Sequence, residues 1–140
     1  MENELKIKMY SFTLDCKDIQ ELAKFYAALL KWEIGLSEEY AWVYPPGTHH
    51  GMYPGIVFQQ NPDYIPPVWP EEPEAQQQMA HLDFAVNDLE KAVQHAIHCG
   101  AIIADEQFSD SWRVMFDPAG HPFCLCLMKT IFESTHFALL

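Results

Sequence analysis

The sequence predicts an α+β fold built from two tandem βαβββ modules. Three observations carry this. The segment FTLDCKDIQELAKFYAALLKW, starting at Phe12, aligns without a gap to LDFAVNDLEKAVQHAIHCGA, starting at Leu82, at an offset of 70 residues that lays Asp18 on Asp88. Each copy opens on an alternating strand pattern, passes through an aspartate and continues with helical spacing. Each is then followed by three short apolar runs separated by turns. Such a period reports a repeated supersecondary unit that cannot bury its apolar face alone.

Along the first copy, Phe12, Leu14 and Cys16 alternate with Ser11, Thr13 and Asp15 across residues 9–16, the pattern of a half-buried strand. Asp18, with Glu21 three residues on, is a helix N-cap signature. Leu22, Phe25, Tyr26, Leu29 and Leu30 then fall on one helical face. Residues 32–36, 40–44 and 56–60 read as strands, with Pro45, Pro46 and Gly47 in the turn between the last two.

Residues 61–78 carry five of the ten prolines and read as an extended linker, because proline removes a backbone donor and fixes φ. The second copy repeats the plan. Ala80, Leu82, Phe84 and Val86 oppose His81, Asp83 and Ala85. Asp88 starts a helix whose face is Leu89, Ala92, Val93, Ala96 and Ile97, and Gly100 ends it. Residues 101–104, 112–116 and 123–128 read as strands, with Asp117-Pro118-Ala119-Gly120 turning between the last two. The boundaries expected are module one at about 7–60, linker 61–78, module two at about 79–128 and a C-terminal extension at 129–140, all in one domain. The extension has no counterpart in the first copy and reads as a helix or as an arm on a partner subunit.

Composition narrows the function. With 49% apolar and 20% charged residues the chain is globular. A net charge of −12, with Arg113 the only arginine, argues against a nucleic-acid partner, which needs clustered cations. No apolar run is long enough for a membrane span. The charged N-terminus lacks a signal-peptide pattern. Cys16, Cys99, Cys124 and Cys126 form no spaced disulfide framework, so a cytoplasmic protein with reduced thiols is expected.

Several residues carry a family resemblance. They are Asp18 with Phe25-Tyr26 and Leu29-Leu30-Lys31-Trp32, His81-Leu82-Asp83 leading to Asp88, and the run from Asp117 through Gly120-His121-Pro122-Phe123-Cys124 to Leu125. In order and spacing the chain resembles the vicinal oxygen chelate superfamily, which includes glyoxalase I, bleomycin-resistance proteins and extradiol dioxygenases, and within it the glyoxalase-like branch. The resemblance implies a U-shaped, eight-stranded mixed sheet with helices outside and a ligand or metal in the concavity. It also implies a homodimer, a pairing to which the aromatic content of 14% adds an apolar surface to be covered.

Metal-binding members use four donors, one from each of four strands. Carried over, those positions are Ser11, then Val57 or Gln59, then His81 and Cys124. Only His81 is an ordinary ligand. Gln59 offers an oxygen and Cys124 a thiolate that zinc would accept. His81, Gln59 and Cys124 are therefore the residues for zinc or nickel if an ion binds, and no cofactor is the expectation.

The expected ligand-binding cleft is lined by Ser11, Thr13, Trp42, Gln59, His81, Asp83, Trp112, Arg113 and Cys124. His81 serves there as a polar anchor or as a general base near neutral pH. Asp15 and Asp83 either pair as acid and base or solvate the cleft mouth. Tyr40, Trp42 and Tyr44 share a strand face, with Tyr64 and Trp69 on the linker, and such rings either wall a pocket or fill a core. His49-His50 lies in a turn, and adjacent histidines on a strand point apart.

Three functions are in contention. The first is a binding protein that holds a small aromatic or cationic molecule without turning it over. The second is a metal-dependent lyase or isomerase of the glyoxalase I type. The third is an interaction module whose cleft is filled by side chains.

Overall fold

The structure is a computed structural model that describes residues 4–133. The chain divides into two compact units between Tyr64 and Ile65. Each holds one βαβββ module.

Module one contains β1 (Ser11–Cys16), α1 (Ile19–Leu30), β2 (Glu33–Leu36), β3 (Tyr40–Tyr44) and β4 (Gly55–Gln60). Its sheet runs β1-β4-β3-β2, with β1 and β4 parallel and the other neighbours antiparallel. Asp18 caps α1 as expected, its carboxylate accepting the Glu21 N–H at 3.0 Å. Lys31 ends the helix in the left-handed region at φ 59°.

The apolar face of α1 puts Leu22, Ala23, Phe25 and Tyr26 on the sheet, all but inaccessible to solvent. Tyr26 stacks on Phe58 with centroids 5.6 Å apart. Each such large side chain contributes about 1.5–3 kcal/mol through burial.

Module two contains β5 (Leu82–Val86), α2 (Leu89–Cys99), β6 (Ile102–Ile103), β7 (Trp112–Phe116) and β8 (Pro122–Leu127). Its sheet runs β5-β8-β7-β6, with the same parallel and antiparallel pairings. Asp88 caps α2 through the Lys91 N–H at 3.0 Å, and Gly100 closes it at φ 122°. This helix buries less: only Val93 and Ala96 are buried along it. Cys99 is only half-buried and lies beside His95 one turn back on α2.

The elements follow the expected order, with bounds that match or differ by one or two residues at an end. The strand expected over 101–104 is reduced to Ile102–Ile103, with Ala104 N–H still reaching Val114 O at 3.0 Å in the same register. Residues 61–78 contain no helix or strand. They are nonetheless folded back on themselves, with Val68 N–H donating to Gln76 O at 2.7 Å. Of the expected C-terminal extension, Lys129–Phe132 form one 3-10 turn, and residues 134–140 lie outside the described residues. No helix among the described residues is long and apolar enough to cross a membrane.

Candidate functional site

Pairing across strands sets which side chains share a face. In module two, Asp83 pairs with Cys124, and Cys124 with Val114; Cys126 pairs with Trp112. Alternation adds His81 and Pro122 to that face, which looks away from α2. Here lies a concavity of about 370 Å³. Its floor is Val114 and Cys124, packed with Ala104 and edged by Trp69, Phe116 and Cys126.

The walls come from segments without periodicity. Trp69 meets Phe108 edge-on at 5.6 Å and Phe116 at 6.2 Å. Phe108 is held beside β7 by its neighbour Gln107. That carboxamide donates to Ala104 O and Val114 O and accepts the Val114 N–H, each at 2.9 Å. Gln78 completes the wall.

The turn at 117–121 fixes the start of β8. Asp117 is buried, and its Oδ1 accepts the N–H groups of Ala119 at 2.9 Å and His121 at 3.0 Å. Gly120 sits at φ +89°, and a Cβ there would come 2.9 Å from Pro66, so the turn needs glycine and packs directly on the linker.

Polar groups in the concavity are few. His81 Nε2 lies 3.1 Å from Asp83 Oδ1, with both side chains partly exposed. One donor atom each from His81, Asp83 and Cys124 lies within 4.8 Å of the others. Burial, reinforced by the neighbouring Asp83 carboxylate and by Cys126, pushes the Cys124 thiol up to about 12. Burial and Asp83 raise Cys126 as well. Both are neutral thiols near neutral pH, not the activated thiolates that nucleophilic cysteines need.

The outward face of module one carries Ser11, Thr13 and Asp15 on β1, Val57 and Gln59 on β4, and Trp42 on β3. A Cβ on Gly35 would collide with the Trp42 indole, so that ring lies flat over β2. His50 packs against that ring at 4.9 Å, and also meets Tyr10 at 5.4 Å and Tyr44 at 6.4 Å. The Tyr10 hydroxyl hydrogen-bonds His50 Nε2.

The expected site residues therefore fall into two groups. His81, Asp83, Trp112 and Cys124 come together in module two. Ser11, Thr13, Gln59 and Trp42 share the outward face of module one.

Arg113 must be moved. It pairs with Leu125 on β8 and lies beside Leu89, Glu90 and Val93 of α2, on the face opposite the concavity. Its Nη1 donates to the Ser109 and Trp112 carbonyls at 2.7 and 2.9 Å. Neighbouring strand residues point to opposite sides, so Trp112 and Arg113 cannot both line one pocket.

Gln59 also changes place. The repeat equates Asp83 with Thr13, and Thr13 pairs with Val57, so Val57 is the counterpart of Cys124 and Gln59 that of Cys126. Phe108 and Gln78 had no sequence signal, because both lie in loops where no period assigns a face.

The metal positions of the fold family can be tested against these side chains. On module one they hold a hydroxyl at Ser11 and an isopropyl group at Val57, neither an adequate donor. The four-donor set does not fit. What remains is the N, O and S trio of His81, Asp83 and Cys124 within module two.

Comparison with known proteins agrees with this architecture. Residues 11–126 match the family of glyoxalase-like domains. The chain belongs to that family. No curated protein matches it.

Among solved structures it is similar to a glyoxalase/bleomycin resistance protein/dioxygenase family enzyme from Burkholderia phytofirmans PsJN, with 14% identity and a TM-score of 0.62 over 84% of this chain and 96% of that one. It is also similar to the trypanothione-dependent glyoxalase I of Leishmania major, with 17% identity and a TM-score of 0.61 over 91% of each chain. A third is TnmS3, an antibiotic binding protein from Streptomyces sp. CB03234, with 13% identity and a TM-score of 0.57 over 89% of this chain and 98% of that one. At these identities the likeness is one of fold.

Proposed function

We propose that this protein binds a small organic molecule in the concavity of module two and does so without a catalytic metal. One observation carries the reading. A concavity of about 370 Å³ is walled chiefly by aromatic and apolar side chains, with polar groups confined to Gln78, His81 and Asp83. That is the make-up of a small-molecule site. Fold neighbours include both an enzyme and an antibiotic-binding protein, so the fold leaves the choice to the site. His81 is the polar anchor. The neutral Cys124 thiol acts as a small apolar floor residue.

The second reading is a metal-dependent lyase of the glyoxalase I type. The trio of His81, Asp83 and Cys124 favours it, since its donor set suits zinc. Ser11 and Val57 oppose it. The test is elemental analysis of protein purified without chelator, together with lactoylglutathione formation with and without added Zn or Ni. The binding reading expects no stoichiometric metal and no turnover. Stoichiometric metal that is lost with the activity in His81→Ala would replace it with the lyase.

The same reading takes the protein to be a cytoplasmic homodimer, on the strength of its free cysteines and its exposed apolar side chains, among them Ile34, Leu36 and Ile102 on β2 and β6. Sedimentation at micromolar concentration should give twice the chain mass; a monomer would contradict it.

A further inference from the structure

We propose that the concavity of module two selects an aromatic molecule carrying a protonated amine; this rests on the reading of that concavity as a small-molecule site. Three features of its wall point the same way. The first is an acceptor with nothing to accept: Gln78 Oε1 is buried and has no hydrogen-bond partner among the described residues. A buried acceptor left unmatched is costly, so turning the Gln78 carboxamide toward a ligand N–H recovers that loss.

The second is charge. Asp83 is the acidic residue of the lining, and no lysine or arginine is among the lining residues. Its Oδ1 is next to His81, and a carboxylate has lone pairs left to accept further donors. A ligand ammonium brings several N–H donors and the opposite charge. A ligand carboxylate would meet like charge with no lysine or arginine of the lining to offset it.

The third is the ring wall. Trp69, Phe108 and Trp112 give a planar apolar body faces and edges to pack on, and indole faces attract cations. The overall charge of −12 adds a long-range bias toward cations. A neutral aliphatic ligand would use the rings and leave the Gln78 acceptor unmatched.

The test is a matched set sharing one ring system and one chain length: tryptamine, tryptophol and indole-3-acetate. Binding to the full chain is measured by isothermal titration calorimetry at pH 7. Tryptamine should bind at least tenfold more tightly than tryptophol, and indole-3-acetate most weakly. Asp83→Asn should bring tryptamine and tryptophol to equal affinity. Gln78→Leu should weaken tryptamine and leave indole-3-acetate unchanged. Trp112→Ala should weaken whichever of the three bind.

These outcomes separate the two claims. Binding of all three without the charge order, or an order that survives Asp83→Asn, overturns the ammonium selectivity and leaves the small-molecule site standing. Binding of none overturns both.

Discussion

The two modules share one plan and put it to different uses. In module one the row of equivalent positions reads Thr13, Val57, Trp42, Gly35 across the sheet. In module two it reads Asp83, Cys124, Val114 and then Ala104. A tryptophan lies flat over a glycine in the first, and a valine stands in its place in the second. The difference in side-chain volume fills one face and hollows the other. The helices differ in step: α1 buries Leu22, Phe25 and Tyr26, while α2 buries Val93 and Ala96. Module one is the better-packed unit, and module two has exchanged packing for a pocket.

The largest expected effect tests the packing side. Phe58→Ala removes a fully buried ring that stacks on Tyr26. It should cost about 3–5 kcal/mol in denaturant unfolding, as large buried aromatics do. A loss below about 1 kcal/mol would remove module one from the role of stable core.

The next tests the chemistry of the hollow face. With its thiol pushed up to about 12 and the residue buried, Cys124 should react with iodoacetamide at pH 8 at least a hundredfold more slowly than a free cysteine. A raised pKa leaves less thiolate at any pH below it, so the rate should climb about tenfold per pH unit toward that value. Peptide mass spectrometry separates Cys124 from the other thiols. Reaction at the free-cysteine rate would mean that the face holds a thiolate.

Val114→Trp writes the residue of module one into module two. It should abolish tryptamine binding by filling the floor. The expected cost is about 1–3 kcal/mol, since an inserted ring displaces packed neighbours. Retained affinity would show that the hollow is not where ligand sits.

The smallest effect compares the helix ends. Gly100 closes α2 at φ 122°, whereas Lys31 closes α1 at φ 59° with a side chain that disfavours that region. Lys31→Gly should stabilise module one by up to about 1 kcal/mol, read as a rise in Tm. A fall would show that the Lys31 side chain contributes more than the strain.

How much of this was legible depended on periodicity. The repeat exposed both modules, and the caps at Asp18 and Asp88 and the stop at Gly100 followed from local chemistry. His81 and Asp83 could be placed on one face because they are two apart on a strand, whereas Cys124 joined them only through the family resemblance.

The choice between Val57 and Gln59 could not be made, because register depends on how the loop at 45–54 spends its residues. Arg113 was misplaced because the phase of a short strand is ambiguous until a partner fixes it. Phe108 and Gln78, two of the residues that line the pocket, lie in loops with no period at all. Trp69 stood out in the linker, but nothing in its neighbours said where its ring would point.

The central claim is that ligand sits in module two. The chain has four indoles, Trp32 and Trp42 in the first compact unit and Trp69 and Trp112 in the second, which holds module two. A titration of tryptamine followed by ¹H–¹⁵N correlation spectra reads all four indole N–H signals at once, assigned by single Trp→Phe variants. The account predicts saturable shifts at Trp69 and Trp112, with Trp32 and Trp42 unmoved. Shifts at Trp42 without shifts at Trp69 and Trp112 would contradict it.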